Sequence, residues 1–348
     1  MATPEKIPMK VWADRSKINL SNLPLVNLVN FTTPFEIDIK QQIGTDPAEL
    51  VQTLKFTPPG ATPPPKPVDP NKKADRWGIP FWHPTKENGF FYEMSDDPKT
   101  DPELEGLDEN FTTAKGLVTM KPNGPTSFSV GKARKEYKDS IGGCTMNFAE
   151  AAKRGYTYKP DDVRDLEFKC LMKINGVGDH GFSLSACTGH HDDGPKGVCC
   201  QGFAYMANVE VASKPVQFRF RKEMWHVSYH TSPEGSFTDP LIADFKLDGH
   251  GWFGFGFCRY NTPGRTDAVT LELWFNPNPA MNIGGWKMIK RIVDKPGNKW
   301  GDDGDKCKGA KDQVGTWSGP KNRLKTNATS GTIDFKSISF REIAPAAV

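Results

Sequence analysis

Between residues 166 and 343 almost every predictable element of this chain is a strand, and that limits its fold more than any other feature. LEFKCLMKI (166–174), GFSLSAC (181–187), QGFAYMANVEVA (201–212) and QFRFRKEMWHVSYH (217–230) follow the alternating or continuous apolar pattern of β-structure. WFGFGFCRY (252–260), AVTLELWF (268–275), WKMIKRIV (286–293) and IDFKSISFREI (333–343) continue it. The loops between them draw on 33 glycines and 29 prolines, which suits many turns. A single sheet of such strands would leave one apolar face in water. The chain is therefore expected to be all-β, a two-sheet antiparallel β-sandwich. One short helix is predicted before these strands, NFAEAAKRG over 147–155, with Asn147 as N-cap and Gly155 as its stop.

Upstream, TPPGATPPPKPVDP (57–70) reads as a stiff, extended spacer, because its prolines fix the backbone dihedrals. Just before it, Asp46 as cap, Pro47 in the first turn and Glu49 completing a capping box predict a short helix in TDPAELVQTLKF. Residues 1–56 then form an N-terminal arm, too short and polar for a robust core of its own. It is expected to pack on its own domain, on a neighbouring copy or on a larger assembly. The sandwich domain is residues 71–348.

Composition excludes several classes. A net charge of +3 is too balanced to point to nucleic acid. No run approaches the roughly 18 apolar residues of a membrane span, and the N-terminus lacks the apolar core of a secretory signal. Neither a nucleotide-binding glycine loop nor a GxSxG elbow is present. Of seven cysteines, none has CxxC spacing, and adjacent Cys199 and Cys200 are expected to pair with different partners. Disulfides of that kind favour an extracellular or surface location.

The strand at 217–230 carries the most chemistry. Phe218, Phe220 and Met224 alternate with Arg219, Arg221, Glu223 and Trp225, and Tyr229 follows. Guanidinium groups beside aromatic surface suit an acidic, polyhydroxylated ligand, although an ordinary cross-strand ion-pair ladder has the same pattern. In the next strand Gly254 and Gly256 lie between Trp252 and Tyr260, leaving a trough that a flat sugar ring fits. Glu272 and Trp274 alternate with Leu271, Leu273 and Phe275 in the strand after that. If these strands are neighbours, Arg219, Arg221, Glu223, Trp225, Trp252, Glu272 and Trp274 share one ligand-binding face. β-Elimination on a uronate needs a cation for the carboxylate, a base and an acid. Arg221, His226, Tyr229 and Tyr260 supply those types, with His226 on the opposite parity from Arg221. A glycosidase would instead pair Glu223 with Glu272.

Two loops could hold a metal. CTGHHDDGPKGVCC carries His190, His191, Asp192 and Asp193, although a braced surface loop explains it better. GDDGDKC (301–307) is acidic enough to attract calcium, the one cofactor the sequence points to, but Gln313 stands where an EF-hand needs glutamate.

Taken together, FRFRKEMWHVSYH, WFGFGFCRYN, VTLELWF and IDFKSISFREI resemble a concanavalin A-like jelly roll over residues 166–343. Such sandwiches occur in alginate and glucuronan lyases and in lectins, and the resemblance implies a polysaccharide held on a concave sheet. RFRKEMW only loosely echoes the R-x-E-L-R pattern of alginate lyases. The Q-I-H or Q-V-H strand and the Tyr-x-lysine-rich closing strand are missing, so the resemblance implies binding ahead of catalysis. The expected function is extracellular recognition of an acidic polysaccharide, with lyase activity as an extension. The alternative is a structural subunit of a virion, filament or cell surface, self-assembling through residues 1–56.

Overall fold

A computed structural model describes residues 35–41, 49–56, 72–130, 163–177, 181–189, 201–211, 215–226, 229–239, 245–301, 310–316 and 321–346. For some strand residues, Trp225 and His226 among them, this description is of the backbone alone. The chain divides into two compact units, residues 1–64 and 65–348.

In the first unit β1 (Phe35–Gln41) pairs antiparallel with β2 (Glu49–Phe56). The helix expected around Glu49 is thus corrected to a strand. A capping box stabilises one turn, and an isolated helix shorter than about 12 residues is marginal in water. FEIDIKQ, alternating Phe35, Ile37 and Ile39 with polar residues, offers the neighbouring segment a ladder instead.

The second unit contains β3 (Phe91–Glu93), β4 (Leu104–Glu105), β5 (Phe111–Ala114), β6 (Leu117–Met120), β7 (Thr126–Val130), β8 (Leu166–Asn175), β9 (Gly181–Gly189) and β10 (Gln201–Glu210). It continues with β11 (Gln217–His226), β12 (Tyr229–Thr231), β13 (Phe253–Asn261), β14 (Val269–Asn276), β15 (Lys287–Asp294), β16 (Lys321–Thr326) and β17 (Thr332–Glu342). They form a seven-stranded sheet ordered β12-β11-β10-β9-β16-β7-β4 and an eight-stranded sheet ordered β15-β14-β13-β8-β17-β6-β5, with β3 added beside β17. All strand pairings within the two sheets are antiparallel. The expected antiparallel sandwich is what the chain builds. Among the described residues the only helical turn is 3₁₀, at Ala310–Asp312, and no helix is long and apolar enough to cross a membrane. The helix expected at 147–155 lies outside the described residues.

Phenylalanines hold the two sheets together. Phe218 and Phe220 of β11 face Phe255 and Phe257 of β13, with ring centroids 6.3 and 6.2 Å apart, and Phe182 of β9 reaches Phe255 at 6.1 Å. Each is fully or almost fully buried. Burying one such side chain stabilises the fold by about 1.5–3 kcal/mol. In β17 the inner row runs Ile333, Phe335, then Ile338, Phe340. The parity changes at a bulge between Lys336 and Ser339, where Ser337 takes φ 53°. That change sends Arg341 to the outer side.

The outer side of the eight-stranded sheet is not open to water. Residues 77–85 lie across it, placing Trp77, Ile79 and Trp82 against Leu171, Trp274 and Trp286. This second apolar layer is why β13 is buried on both faces. Cys170 and Cys258 are free, buried thiols, and no disulfide forms among the described residues. The Cys199 and Cys200 pairings lie outside them, as do His190, His191, Asp192, Asp193 and most of the GDDGDKC loop.

Candidate functional site

The residues expected on one ligand-binding face are divided between the two sheets. Arg219, Arg221, Glu223 and Trp225 belong to β11 in the seven-stranded sheet; Glu272 and Trp274 belong to β14, and Trp252 immediately precedes β13, in the eight-stranded one. Sequence order does not give adjacency here. The inner rows of β11 and β13 pack against each other across the core, so their outer rows point away from each other. A glycosidase pair of Glu223 and Glu272 is excluded by the same geometry, since one bond cannot lie between opposite outer faces.

On the eight-stranded side the predicted trough exists, but the chain fills it with its own indoles. A Cβ at Gly254 would come within 2.5 Å of Trp286, and one at Gly256 would overlap Trp82. Trp82 in turn stacks on Trp274, with centroids 4.5 Å apart and planes 4° from parallel. Glu272 accepts hydrogen bonds from Tyr260 Oη (2.7 Å), Arg291 Nε (2.8 Å) and Trp274 Nε1 (3.0 Å), and pairs with His83 Nε2 at 2.9 Å. Burial pushes its carboxyl up, but the His83, Tyr260 and Trp274 hydrogen bonds outweigh that and hold it at about 2. Tyr260 is buried and committed to Glu272, so it is a structural donor and not a partner of Arg221. Trp252 lies under the Lys336 ammonium, 4.0 Å from the ring centroid.

His83, Cys258 and Glu272 also offer three ligand atoms within 4.8 Å of one another. The chemistry of the set argues against a metal. Burial keeps the Cys258 thiol protonated, and both Glu272 oxygens already accept hydrogen bonds. Nearby, Glu167 is gripped by Arg341 Nη2 (2.7 Å) and Lys169 Nζ (3.1 Å), and it accepts the Trp82 backbone N–H (3.0 Å). The charged outer row of this sheet therefore anchors residues 77–85. A sequence reading sees these charges as solvent-facing, because nothing local announces the segment that covers them.

The outer face of the seven-stranded sheet is different. A groove of about 340 Å³ opens there, lined by Arg219 and Arg221 of β11, Asn208 of β10, Ser183 of β9, Lys325 of β16 and Tyr229 of β12. Register explains the set: Arg219 lies opposite Asn208, Asn208 opposite Ser183, and Ser183 opposite Lys325. Arg221 and Arg323 occupy the row beside it. The strands that carry these cations are three apart, about 14 Å, but their side chains reach toward each other over Ser183, Asn208 and Met206, and the Lys325 ammonium lies 5.9 Å from the centroid of the Tyr229 ring. Arg219 pairs with Glu210 at 2.6 Å, while its Nε and the buried Asn208 Oδ1 have no hydrogen-bond partner among the described residues. Arg221 lies 4.9 Å from the centroid of the Tyr229 ring. Burial, then the Glu223 charge and hydrogen bond, raise Tyr229 above its usual value, so it stays a donor.

Of the predicted catalytic set, the structure brings Arg221 and Tyr229 together and places Tyr260 on the other sheet. His226 sits at the end of β11 opposite Gln201, and its side chain, like that of Trp225, lies outside the description. Sequence reasoning missed Asn208, Arg323 and Lys325. The alternation KNRLKT was the available signal, but nothing in it says that β16 inserts between β9 and β7.

No known protein family and no curated protein matches the chain. Among solved structures, the Bacillus licheniformis β-glucanase is similar at a TM-score of 0.37 and 10% identity, covering 74% of this chain and 98% of that one. A prokaryotic β-1,3-1,4-glucanase (lichenase) from a mouse hindgut metagenome gives 0.35 and 10%, covering 73% and 99%. A legume lectin-like domain from Entamoeba histolytica gives 0.34 and 10%, covering 69% and 89%. Similarity this loose says nothing about ligand or chemistry, and the sandwich stands on its own strand pairing.

Proposed function

We propose that the outer face of the seven-stranded sheet binds an acidic polysaccharide. The observation that carries this reading is the groove itself: cations that reach in from both sides, Ser183 and Asn208 in its lining, and buried polar atoms on Arg219 and Asn208 with no hydrogen-bond partner among the described residues. A sugar chain crossing the strands would meet both sides, its carboxylates on the guanidinium and ammonium groups and its hydroxyls on Asn208 and Ser183. Tyr229 adds a ring on which a pyranose can pack. Trp252, Glu272 and Trp274 are not part of this surface.

The test is binding to a polyuronate and to a neutral glucan, measured by calorimetry. Arg219→Ala and Lys325→Ala are each expected to weaken polyuronate binding about tenfold, the scale of one charge-assisted hydrogen bond. Rising salt should weaken it too. Equal binding by wild type and the double variant, or equal affinity for the neutral glucan, would refute the groove.

Elimination on the bound uronate is a second reading, favoured by the contact between Arg221 and Tyr229. Tyr229 held protonated suits the acid that meets the leaving oxygen, and Arg221 suits the substrate carboxylate. Growth of the absorbance of an unsaturated uronate product, lost in Tyr229→Phe, would support it. Binding without any such product leaves a recognition module.

A further inference from the structure

We propose that Lys222 and Asp294 condense into an intramolecular isopeptide bond that staples one sheet of the sandwich to the other. Lys222 belongs to β11 and lies on its inner row, between Phe220 and Met224, where a regular sandwich strand carries an apolar side chain. Asp294 ends β15, the edge of the opposite sheet. Both side chains are 1% exposed, and Lys222 Nζ stands 3.0 Å from Asp294 Oδ2. Water does not separate them, and no local sequence pattern requires either charge inside.

The surroundings are those of an acyl-transfer site. Tyr205 Oη donates to Asp294 Oδ2 at 2.6 Å, and Trp300 Nε1 donates to Oδ1 at 2.7 Å. Lys222 Nζ is aimed by a hydrogen bond to Gln313 O (2.6 Å) and lies 4.7 Å from the centroid of the Trp300 ring. Burial favours the neutral amine over the ammonium, with the Asp294 and Asp312 charges opposing it. One proton passed along the hydrogen bond converts the buried ion pair into an amine facing a carboxylic acid. Tyr205 is held far above its usual value, by burial and then by Asp294, and so keeps its proton to lend. Arg259 lies 5.7 Å from the Tyr205 ring centroid, and no arginine contact with Asp294 occurs among the described residues.

In the reaction Nζ attacks Asp294 Cγ, and the charge that develops on Oδ1 is met by the Trp300 N–H. The Nζ–Cγ bond forms and the Cγ–Oδ2 bond breaks. Oδ2 leaves as water with two of the three ammonium protons, Tyr205 relaying one of them. The amide keeps the third. No oxidant or co-reactant enters, and two buried charges are replaced by one amide.

The second buried lysine with a carboxylate contact provides an internal contrast. Lys169 Nζ is 3.1 Å from Glu167, but Arg341 grips that carboxylate through both oxygens, which keeps it ionised and unreactive, and the other carboxylate nearby, Asp75 Oδ2, stands off at 3.9 Å while Nζ is held by Pro80 O at 2.6 Å. No bond is expected there.

The test is the mass of the purified full chain, reduced and denatured, so that folding of a variant does not affect the reading. Wild type is expected one water lighter than its sequence mass, and digestion should release a branched peptide joining the segments around Lys222 and Asp294. Asp294→Asn should form the same link by losing ammonia. Asp294→Ala and Lys222→Met should each appear at full sequence mass. A wild-type chain at full mass, or a water loss that the peptides place elsewhere, would overturn the proposal.

Discussion

Glu272 shows how one residue changes meaning once its neighbours are known. By alternation it is an outward charge on a strand; in the structure it is fully buried and receives Tyr260, Trp274, Arg291 and His83. Its native carboxyl sits at about 2 against an ordinary 4.5, so between those values the unfolded chain binds more protons than the folded one. The stability it contributes is complete above pH 4.5 and is lost as the pH falls toward 2, an effect of about 3 kcal/mol. Urea unfolding at pH 3 and pH 6 should show this loss in wild type and a flatter response in Glu272→Gln. An identical pH slope in the two proteins would show that the carboxylate is not held this way.

At the scale of elements, β17 depends on its bulge. Ile333 and Phe335 face the core before it, and Ile338 and Phe340 after it, which frees Arg341 to reach Glu167 on the covered side. Ser337 carries the cost at φ 53°, a region that β-branched residues strongly avoid. Ser337→Val is expected to lower stability by about 1–2 kcal/mol, and Ser337→Gly to be nearly neutral. Denaturant midpoints of the two variants read this directly, and equal midpoints would remove the role given to the bulge. The alternation in IDFKSISFREI was visible in sequence, but the point where its parity turns was not. Phe335 and Ile338 are both apolar, and only contacts in three dimensions say that both point inward.

Across the whole molecule, the last two strands close both sheets. β16 lies between β9 and β7, and β17 between β8 and β6, so each joins early strands to the middle of the chain. A chain ending at residue 320 lacks a central strand in each sheet, and Phe128, Phe182, Phe90 and Phe168 lose their ring contacts with Phe335 and Phe340. It is expected to lose its near-UV circular dichroism and become sensitive to protease, whereas loss of an edge strand would be better tolerated. Native-like spectra from that truncation would contradict the topology. Pairing so distant in sequence, as Met120 with Ile333, also predicts slow folding, on the order of milliseconds to seconds.

The sequence alone determined the class: alternating apolar rows have a period of two, and strands with one such row must pair face to face. It also gave the apolar residues of β11, β13 and β14 that point inward, because parity is a local property of the backbone, although it passed over Lys222 in the same row. What it could not determine was which strands are neighbours. Adjacency follows from long-range packing of Phe218, Phe220, Phe255 and Phe257, and that packing put Arg219 and Trp274 on opposite outer faces. Nor could it show that residues 77–85 cover one of those faces, where Trp82 and Trp286 fill a trough at Gly256 and Gly254, and leave the other face with the basic groove. Two apolar layers read like one in a single strand, so only the tertiary structure distinguished a ligand surface from a second core.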